Sequence, residues 1–315
     1  MKTGEQVQSG HRRRITVAMD FIQANLHRNP PLEEVAQAAC FSPFHFHRIF
    51  KLLVGETVAD FTRRIRLEKA AGLFFYHRDI SVTEVAVQLG FSSSQNLAKA
   101  FKQYFHLTPS QVRGLTGRDE LQALLQQQRK NGNIPRKTGN APAAAMPYAA
   151  DQFADSIEGA EMNITIDQFD ARQVIYKRLI GVYGAGIQDA FTELHTFVRA
   201  RDIPTADPVY LIWDNPEITP PEKCRADACI TLAGDSKDVA PYTTQTIAAG
   251  KYAWLRTMVR AEHEFSAAWD QLFQQILEQG YQPEDRPVFK ILHRESSDPQ
   301  QGVFDVSFCA AVKPR

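Results

Sequence analysis

Four polar side chains near the start of one short stretch set the chemistry that the rest of the chain has to support. Within residues 90–109, Leu97, Phe101 and Phe105 recur at four-residue spacing, the period of a helix face turned to a core. Ser94, Gln95, Asn96 and Lys99 lie off that stripe, near the expected helix start. If such a helix enters a major groove, the amides of Gln95 and Asn96 match adenine N6 and N7, and a hydroxyl or an ammonium reaches phosphate. Ser93, Ser94 and Ala98 are small, so the alternative use of this surface is phosphate positioning with weak base reading.

The elements that position these residues come as a repeated pattern. Residues 12–27 carry apolar positions at Ile15, Ala18, Phe21, Ile22 and Leu26, a helical stripe that Asn29-Pro30-Pro31 ends. A second segment starts at Leu32, turns at Cys40-Phe41-Ser42 and resumes at Pro43, with Ser42 placed to cap and Pro43 at the first helical position. The same unit returns: Glu34-Val35-Ala36 aligns with Glu84-Val85-Ala86, Phe41-Ser42 with Phe91-Ser92, and Arg48-Ile49-Phe50-Lys51 with Lys99-Ala100-Phe101-Lys102. Ser81 with Glu84 forms a capping-box pattern at the start of the second copy. Two helix-turn-helix units in succession are far more specific than one. Between them, 57–76 reads as one helix of about 30 Å, close to the ~34 Å between successive major grooves on one side of a duplex.

A length of 315 residues suggests two domains, and 43% hydrophobic with 23% charged residues is an ordinary globular composition. No apolar run is long enough for a membrane helix and no secretory leader is evident, so a cytoplasmic address and no membrane partner are expected. Cys40, Cys224, Cys229 and Cys309 show no metal-binding spacing and read as reduced thiols. No metalloprotease or triad spacing and no Gly-rich phosphate loop is visible, and nothing calls for a cofactor or metal. The zero net charge hides an asymmetry: residues 1–118 carry 16 Lys and Arg against 9 Asp and Glu, net +7, which leaves 20 against 27, net −7. A basic first third beside an acidic remainder suits double-stranded DNA as the partner of the former only.

Residues 131–160 are rich in Gly, Pro and Ala without periodicity and read as a linker, after a short Gln-rich helix expected over 119–130. Beyond them the chain repeats itself at an offset of 78 to 79 residues. Phe191, Leu194 and Val198 precede a strand at 208–213, and Trp269, Leu272 and Ile276 precede another at 287–292. Further strands are expected at 173–184, 226–233, 250–259 and 303–312. This makes a duplicated β-α-β-β unit in an α+β domain. Tyr183, Tyr210, Trp213, Trp254 and Phe289 fall on candidate strands near the junction of the repeats. Each suits a strand core, and as a group they suit the wall of an apolar pocket.

The first 115 residues resemble the DNA-binding domain of the AraC family of transcription regulators, through Cys40-Phe41-Ser42, Arg48-Ile49-Phe50-Lys51, Gly90-Phe91-Ser92, Phe101-Lys102, Tyr104-Phe105 and Thr108-Pro109. Two departures stand out, Cys40 in the first turn and His106 after the second recognition helix, where the family favours glycine. The resemblance implies that Phe44, His47 and Arg48 form the base-reading face of the first recognition helix, and that Lys99 approaches DNA. Arg48 has the fork for guanine O6 and N7, and Phe44 suits a thymine methyl. His45 lies on another face.

The remainder resembles a GyrI-like ligand-binding domain, through residues 214–229 and the segment around 287–290. That implies a cleft between the repeats for a small, often aromatic or cationic molecule. Lys290 stands where the family usually has an acid. Three readings of it are open: pairing with an anionic effector, neutralisation by Glu193 or Asp214 in a cleft for neutral aromatics, or extension into water. The expected whole is multidomain: an all-α double helix-turn-helix domain over 1–118, a linker over 119–160 and an α+β effector domain over 161–315. The function implied is a sequence-specific, non-enzymatic transcription regulator that senses a small molecule, with RNA polymerase as a further candidate partner. The rivals are a small-molecule hydrolase, which Lys290 argues against, and a module that sequesters a partner.

Overall fold

The computed structural model describes residues 4–117, 120–121, 123–125, 127, 163–234, 239–298 and 301–315. The expected linker over 131–160 lies outside them. Helices come first, among them α1 (Gly4–Ala24), α2 (Leu32–Ala38), α3 (Pro43–Val54), α4 (Val58–Tyr76), α5 (Val82–Gln88), α6 (Ser94–Phe105) and α7 (Pro109–Gly114). Two cores form around them. One joins Ile15, Ile22, Val35, Phe46 and Phe50 to Phe61 and Ile65 on α4; the other joins Phe74 on α4 to Val85, Leu97, Phe101 and Phe105. α4 is therefore the spine of both units, its first half in one core and its second half in the other. Leu121 and Leu125 are also buried in the second core, so the helical part extends past residue 118.

Local chemistry fixes where these helices begin and end. The capping box at Ser81 and Glu84 forms, and a second one forms at Thr108 and Gln111. Thr57 and Ser93 cap α4 and α6 with their hydroxyls, accepting from the amides of Asp60 and Asn96. Ser42 does occupy the cap position of α3, but its hydroxyl makes no capping bond. Cys40 and His106 adopt φ of 55° and 56°, the left-handed conformation that their glycine-like positions demand.

The second part contains α8 (Ile187–Arg199) and α9 (Glu262–Glu278) against antiparallel strands β1 (Thr165–Phe169), β2 (Arg172–Ile180), β3 (Thr205–Ile212), β4 (Arg225–Leu232), β5 (Thr243–Ile247), β6 (Gly250–Val259), β7 (Tyr281–Pro283), β8 (Val288–Asp298) and β9 (Val303–Pro314). The order is β1-β6-β9-β8-β3-β4-β2-β5, with β7 added along β9. The duplication holds, but beyond the three strands per half that the sequence pattern gave, each half opens with a further strand and the second half also has the short β7. β1 and β5 are the opening strands, and they are exchanged: β1 pairs with β6 of the second half, and β5 with β2 of the first.

The helices cover one face of the sheet, α8 over Ile175, Ala228 and Ile230, and α9 over Ala253, Leu255 and Phe308. On the other face Phe169 of β1 and Ile247 of β5 meet the central Val209 and Phe289 in one cluster, so the sheet curls until its edges close over its own side chains.

Candidate functional site

On α3 the core takes Phe46, Ile49 and Phe50, and the opposite side stays open. Phe44 is 88% exposed and Leu52 76%, values that set them apart as large apolar groups left in water. With Leu32, Pro43, His47, Arg48 and Lys51 they border a shallow groove of about 840 Å³. Phe44, His47 and Arg48 thus share one exposed surface, as expected. His45 points elsewhere and stacks on Phe41 at 6.0 Å between centroids.

On α6 the buried stripe is Leu97, Phe101 and Phe105, as read from spacing. Gln95, Asn96 and Lys99 are exposed, and Ser94 is partly so. Their side chains are less available than those of α3. The Asn96 amide donates to the Ser92 hydroxyl at 2.6 Å and the Ser94 hydroxyl donates to Gln95 at 3.3 Å.

The aromatic residues proposed for a ligand do not form one site. Tyr210 and Lys290 are direct partners across the central β3–β8 pair, on the helix side. The Lys290 ammonium lies 5.0 Å from the Tyr210 ring centroid and 4.3 Å from that of Phe265 on α9. Tyr183 meets Tyr210 edge-on at 6.5 Å. Trp213, Trp254 and Phe289 belong to the cluster inside the curl, on the opposite face. The reason is period two. Aligning Tyr210 with Phe289 uses an offset of 79, and the faces of the two halves superpose at 78, so the slip of one residue turns Phe289 to the other side.

Lys290 is partly buried, and burial pushes its pKa down from 10.5 to about 8. Glu193 and Asp214, the acids expected to neutralise it, are engaged elsewhere: Glu193 with Lys177 and Tyr242, Asp214 with Arg225. Among the described residues no carboxylate forms an ion pair with Lys290. The reading that it extends freely into water also fails, since its ammonium is held between two rings. Burial also lifts the Tyr210 phenol to about 12, so the ring beside this amine carries an un-ionised hydroxyl.

Two family models match the chain, a helix-turn-helix domain over residues 35–114 and a GyrI-like small molecule binding domain over 162–308. A probable transcription factor, PqrA of Proteus vulgaris, is 31% identical over 97 residues, 30% of this chain and 79% of PqrA. A DNA gyrase inhibitor of Yersinia enterocolitica is 29% identical over 157 residues, 48% of this chain and 98% of the inhibitor. The C-terminal domain of the response regulator AraT from Geobacillus stearothermophilus has 28% identity and a TM-score of 0.30, covering 32% of this chain and 83% of that one. The chain belongs to the AraC family. It is a DNA-binding transcription regulator of that family whose second domain is a GyrI-like effector-binding domain.

Sequence reasoning missed how this AraC-family regulator joins its two parts. The loop 214–224 after β3 lies against α4. Its Thr219 hydroxyl donates to Glu68 at 3.0 Å, Lys223 pairs with Glu56 at 2.9 Å, and Ile218 enters the core of the second unit. Glu56, Arg64 and Glu68 are all buried; Arg64 donates to Glu56 at 2.6 Å and to Glu68 at 3.0 Å. Burial disfavours the Arg64 cation, and the two carboxylates more than offset that, holding its pKa above the usual arginine value. Burial raises the Glu68 pKa, against the pull of Arg64. Beside this cluster Arg225 grips Asp214 with two bonds of 2.8 and 2.7 Å and donates to Gln23 of α1. Arg178 likewise bridges Asp227 and Asp20 of α1, and Trp213 donates to the same Asp227 at 2.7 Å, which gives that tryptophan a structural role. The one available signal was charge inside the buried stripe of α4, where Arg64 and Glu68 fall four residues apart.

The same loop also touches Tyr183, the neighbour of Tyr210. The Tyr183 hydroxyl donates to the Asp214 carbonyl at 2.5 Å and accepts from the Asp214 amide at 3.2 Å. A continuous path therefore runs from Tyr210 through Tyr183 to Asp214, along the chain to Asn215, whose carbonyl accepts from the Thr219 amide at 2.8 Å, and from Thr219 to Glu68 on the shared spine.

Proposed function

We propose that α3 and α6 enter successive major grooves of double-stranded DNA, with Phe44, His47 and Arg48 reading bases and Ser94, Gln95, Asn96 and Lys99 chiefly positioning the second helix on phosphates. The effector domain takes a neutral or anionic aromatic molecule on the helix side of the sheet, at Tyr183, Tyr210 and Lys290. Trp213, Trp254 and Phe289 are left out of that site. The DNA-binding part runs from the amino terminus to at least Leu125, followed by a linker and an effector domain from about residue 161. The protein acts in the cytoplasm by binding and not by catalysis, because the cleft offers an amine where hydrolysis would use a carboxylate base. RNA polymerase is the partner through which bound protein would alter transcription.

The observation that carries this reading is the docking of loop 214–224 on α4, which among the described residues is the one helix that contributes to both helix-turn-helix cores. An effector that binds better when Tyr183 and Asp214 are rearranged shifts the loop, and with it the spacing or angle of the two recognition helices. The test uses the full chain, because removing the second domain would bare the buried ion cluster of α4. Duplexes selected from random sequence are titrated with the chain in the presence and absence of sodium benzoate or benzyl alcohol. A change in DNA affinity of about fivefold or more is expected with one of them. Thr219→Val, which cuts the bond to Glu68, should shrink that change. Affinity that no aromatic probe alters overturns the coupling, and no binding to any duplex at low salt overturns the DNA reading.

A further inference from the structure

Lys290 is the group on the helix side of the sheet whose chemistry simple binding does not use. It stands on β8 opposite Tyr210 of β3 and Phe308 of β9, at the centre of the sheet, with Phe265 of α9 against its ammonium. A lysine there has two aromatic faces and, among the described residues, no ion-pair partner. Glu193 of α8 holds Lys177 and Tyr242, and Glu264 of α9 accepts from the Arg260 amide. His263 of α9 lies on the exposed side of its helix, and the Tyr210 hydroxyl accepts from the Gly184 amide.

We propose that the cleft captures aromatic aldehydes as an imine on the Lys290 side-chain nitrogen. The inference rests on the cleft being the effector site and adds the reacting class. The neutral amine adds its lone pair to the carbonyl carbon to form the C–N bond. The carbinolamine then loses the carbonyl oxygen as water, which takes both hydrogens of the amine, so aldehyde plus amine gives imine plus water and no oxidant or reductant is needed. The aromatic ring of the aldehyde packs with Tyr210 and Phe265, the two rings that flank the Lys290 nitrogen. Desolvation by those same rings keeps a large share of the amine neutral near pH 8. Such a bond would make the effector response slow to reverse and selective for carbonyl compounds over acids or alcohols of the same shape.

The experiment treats the full chain with benzaldehyde at pH 8, reduces any imine with sodium cyanoborohydride, and maps the benzylated lysines by mass spectrometry. At that pH a lysine with the ordinary pKa has about a hundredfold less free amine than one titrating near 8. Its higher intrinsic reactivity offsets part of that, so Lys290 should be modified at least tenfold faster than Lys69, Lys177 or Lys223. The preference should fade as the pH approaches 10. Lys290→Arg, which keeps the cation but cannot form an imine, should lose the fast phase and leave the slow background.

Benzyl alcohol supplies the ring without the carbonyl. It should slow the labelling, and it should perturb the fluorescence of Trp269, the tryptophan that contacts Phe308 at 5.1 Å on the cleft side. Modification spread over surface lysines with no preference for Lys290 overturns the proposal. If benzyl alcohol still perturbs Trp269 in that case, the cleft remains the effector site and only the imine falls. If it does not, the effector site falls as well.

Discussion

The two helix-turn-helix units follow one pattern and differ at matching positions, in the turn and in the recognition helix. Cys40 and Gly90 occupy the same turn at φ of 55° and 68°. A Cβ at Gly90 would sit 2.4 Å from the carbonyl oxygen of His27, inside the backbone that ends the first helical segment, whereas Cys40 is exposed. Glycine in the second unit is thus required twice, by conformation and by space, and in the first only by conformation. After the recognition helices the preference reverses: Gly55 ends α3 and His106 ends α6, both left-handed. Departures from glycine are tolerated where the added side chain meets solvent, and each costs only its backbone strain.

The recognition helices differ in a way that bears on function. α3 puts an exposed aromatic ring and an arginine fork into the open, and α6 offers short side chains partly tied to one another. In the account given above, sequence is therefore read mainly by the first unit, and the second sets register and adds affinity.

The largest expected contrast is between the turns. Gly90→Ala should destabilise the chain by more than about 3 kcal/mol, since backbone must move, and Cys40→Ala should change stability by less than about 0.5 kcal/mol. Equal effects in thermal unfolding would mean that the second turn is not pinned against residues 26–28. Next comes the spine that joins the units. Arg64→Met leaves Glu68 buried without its cation and Glu56 with Lys223 alone, and should cost about 3 to 5 kcal/mol. Double replacement of Arg64 and Glu68 by Met and Gln should recover part of that loss.

Smaller in energy, but more telling for function, is Arg48→Ala. It should cost about 1 to 3 kcal/mol of DNA binding and relax base choice at one position of one half-site. Cys40→Gly and His106→Gly should each add about 1 kcal/mol of stability by relieving left-handed strain. The smallest contrast is in the caps. Hydrogen bonds to Ser81 hold the Glu84 carboxyl below its usual pKa. Its contribution is therefore present above the ordinary carboxylate pKa and lost as pH falls through the depressed one. Amide exchange in the first turn of α5 should rise on acidification more than in α2, whose cap position Pro31 offers no side-chain bond.

Much of this was legible in the sequence because it rests on local rules. The stripe of Leu97, Phe101 and Phe105, the box at Ser81 and Glu84 and the strand at 250–259 are set by period and capping, and they appear where the spacing put them. The glycine-like turns at Cys40 and His106 were read through the family resemblance and carry the expected positive φ. The ligand residues were only half legible. Aromatic content marked Tyr183 and Tyr210 and equally marked Trp213, Trp254 and Phe289, and the side of the sheet that each faces depends on a register that a one-residue ambiguity in the repeat left open. The exchanged strands β1 and β5 escaped notice because they are short, at five residues each, and pair across the repeat. The junction at Glu68, Thr219 and Asp214 was invisible because its partners are about 150 residues apart and obey no period.

The central claim is that two unequal recognition helices act on one stretch of DNA, and selecting bound duplexes from random sequence with the full chain and its Arg48→Ala and Gln95→Ala variants tests it most directly. The expected result is a bipartite site with its halves about one helical turn apart. Arg48→Ala should relax base preference at one position of one half, and Gln95→Ala should lower affinity modestly with its effect confined to the other. Loss of preference in the same half for both variants, or a uniform loss of affinity with base preference unchanged for Arg48→Ala, would contradict it.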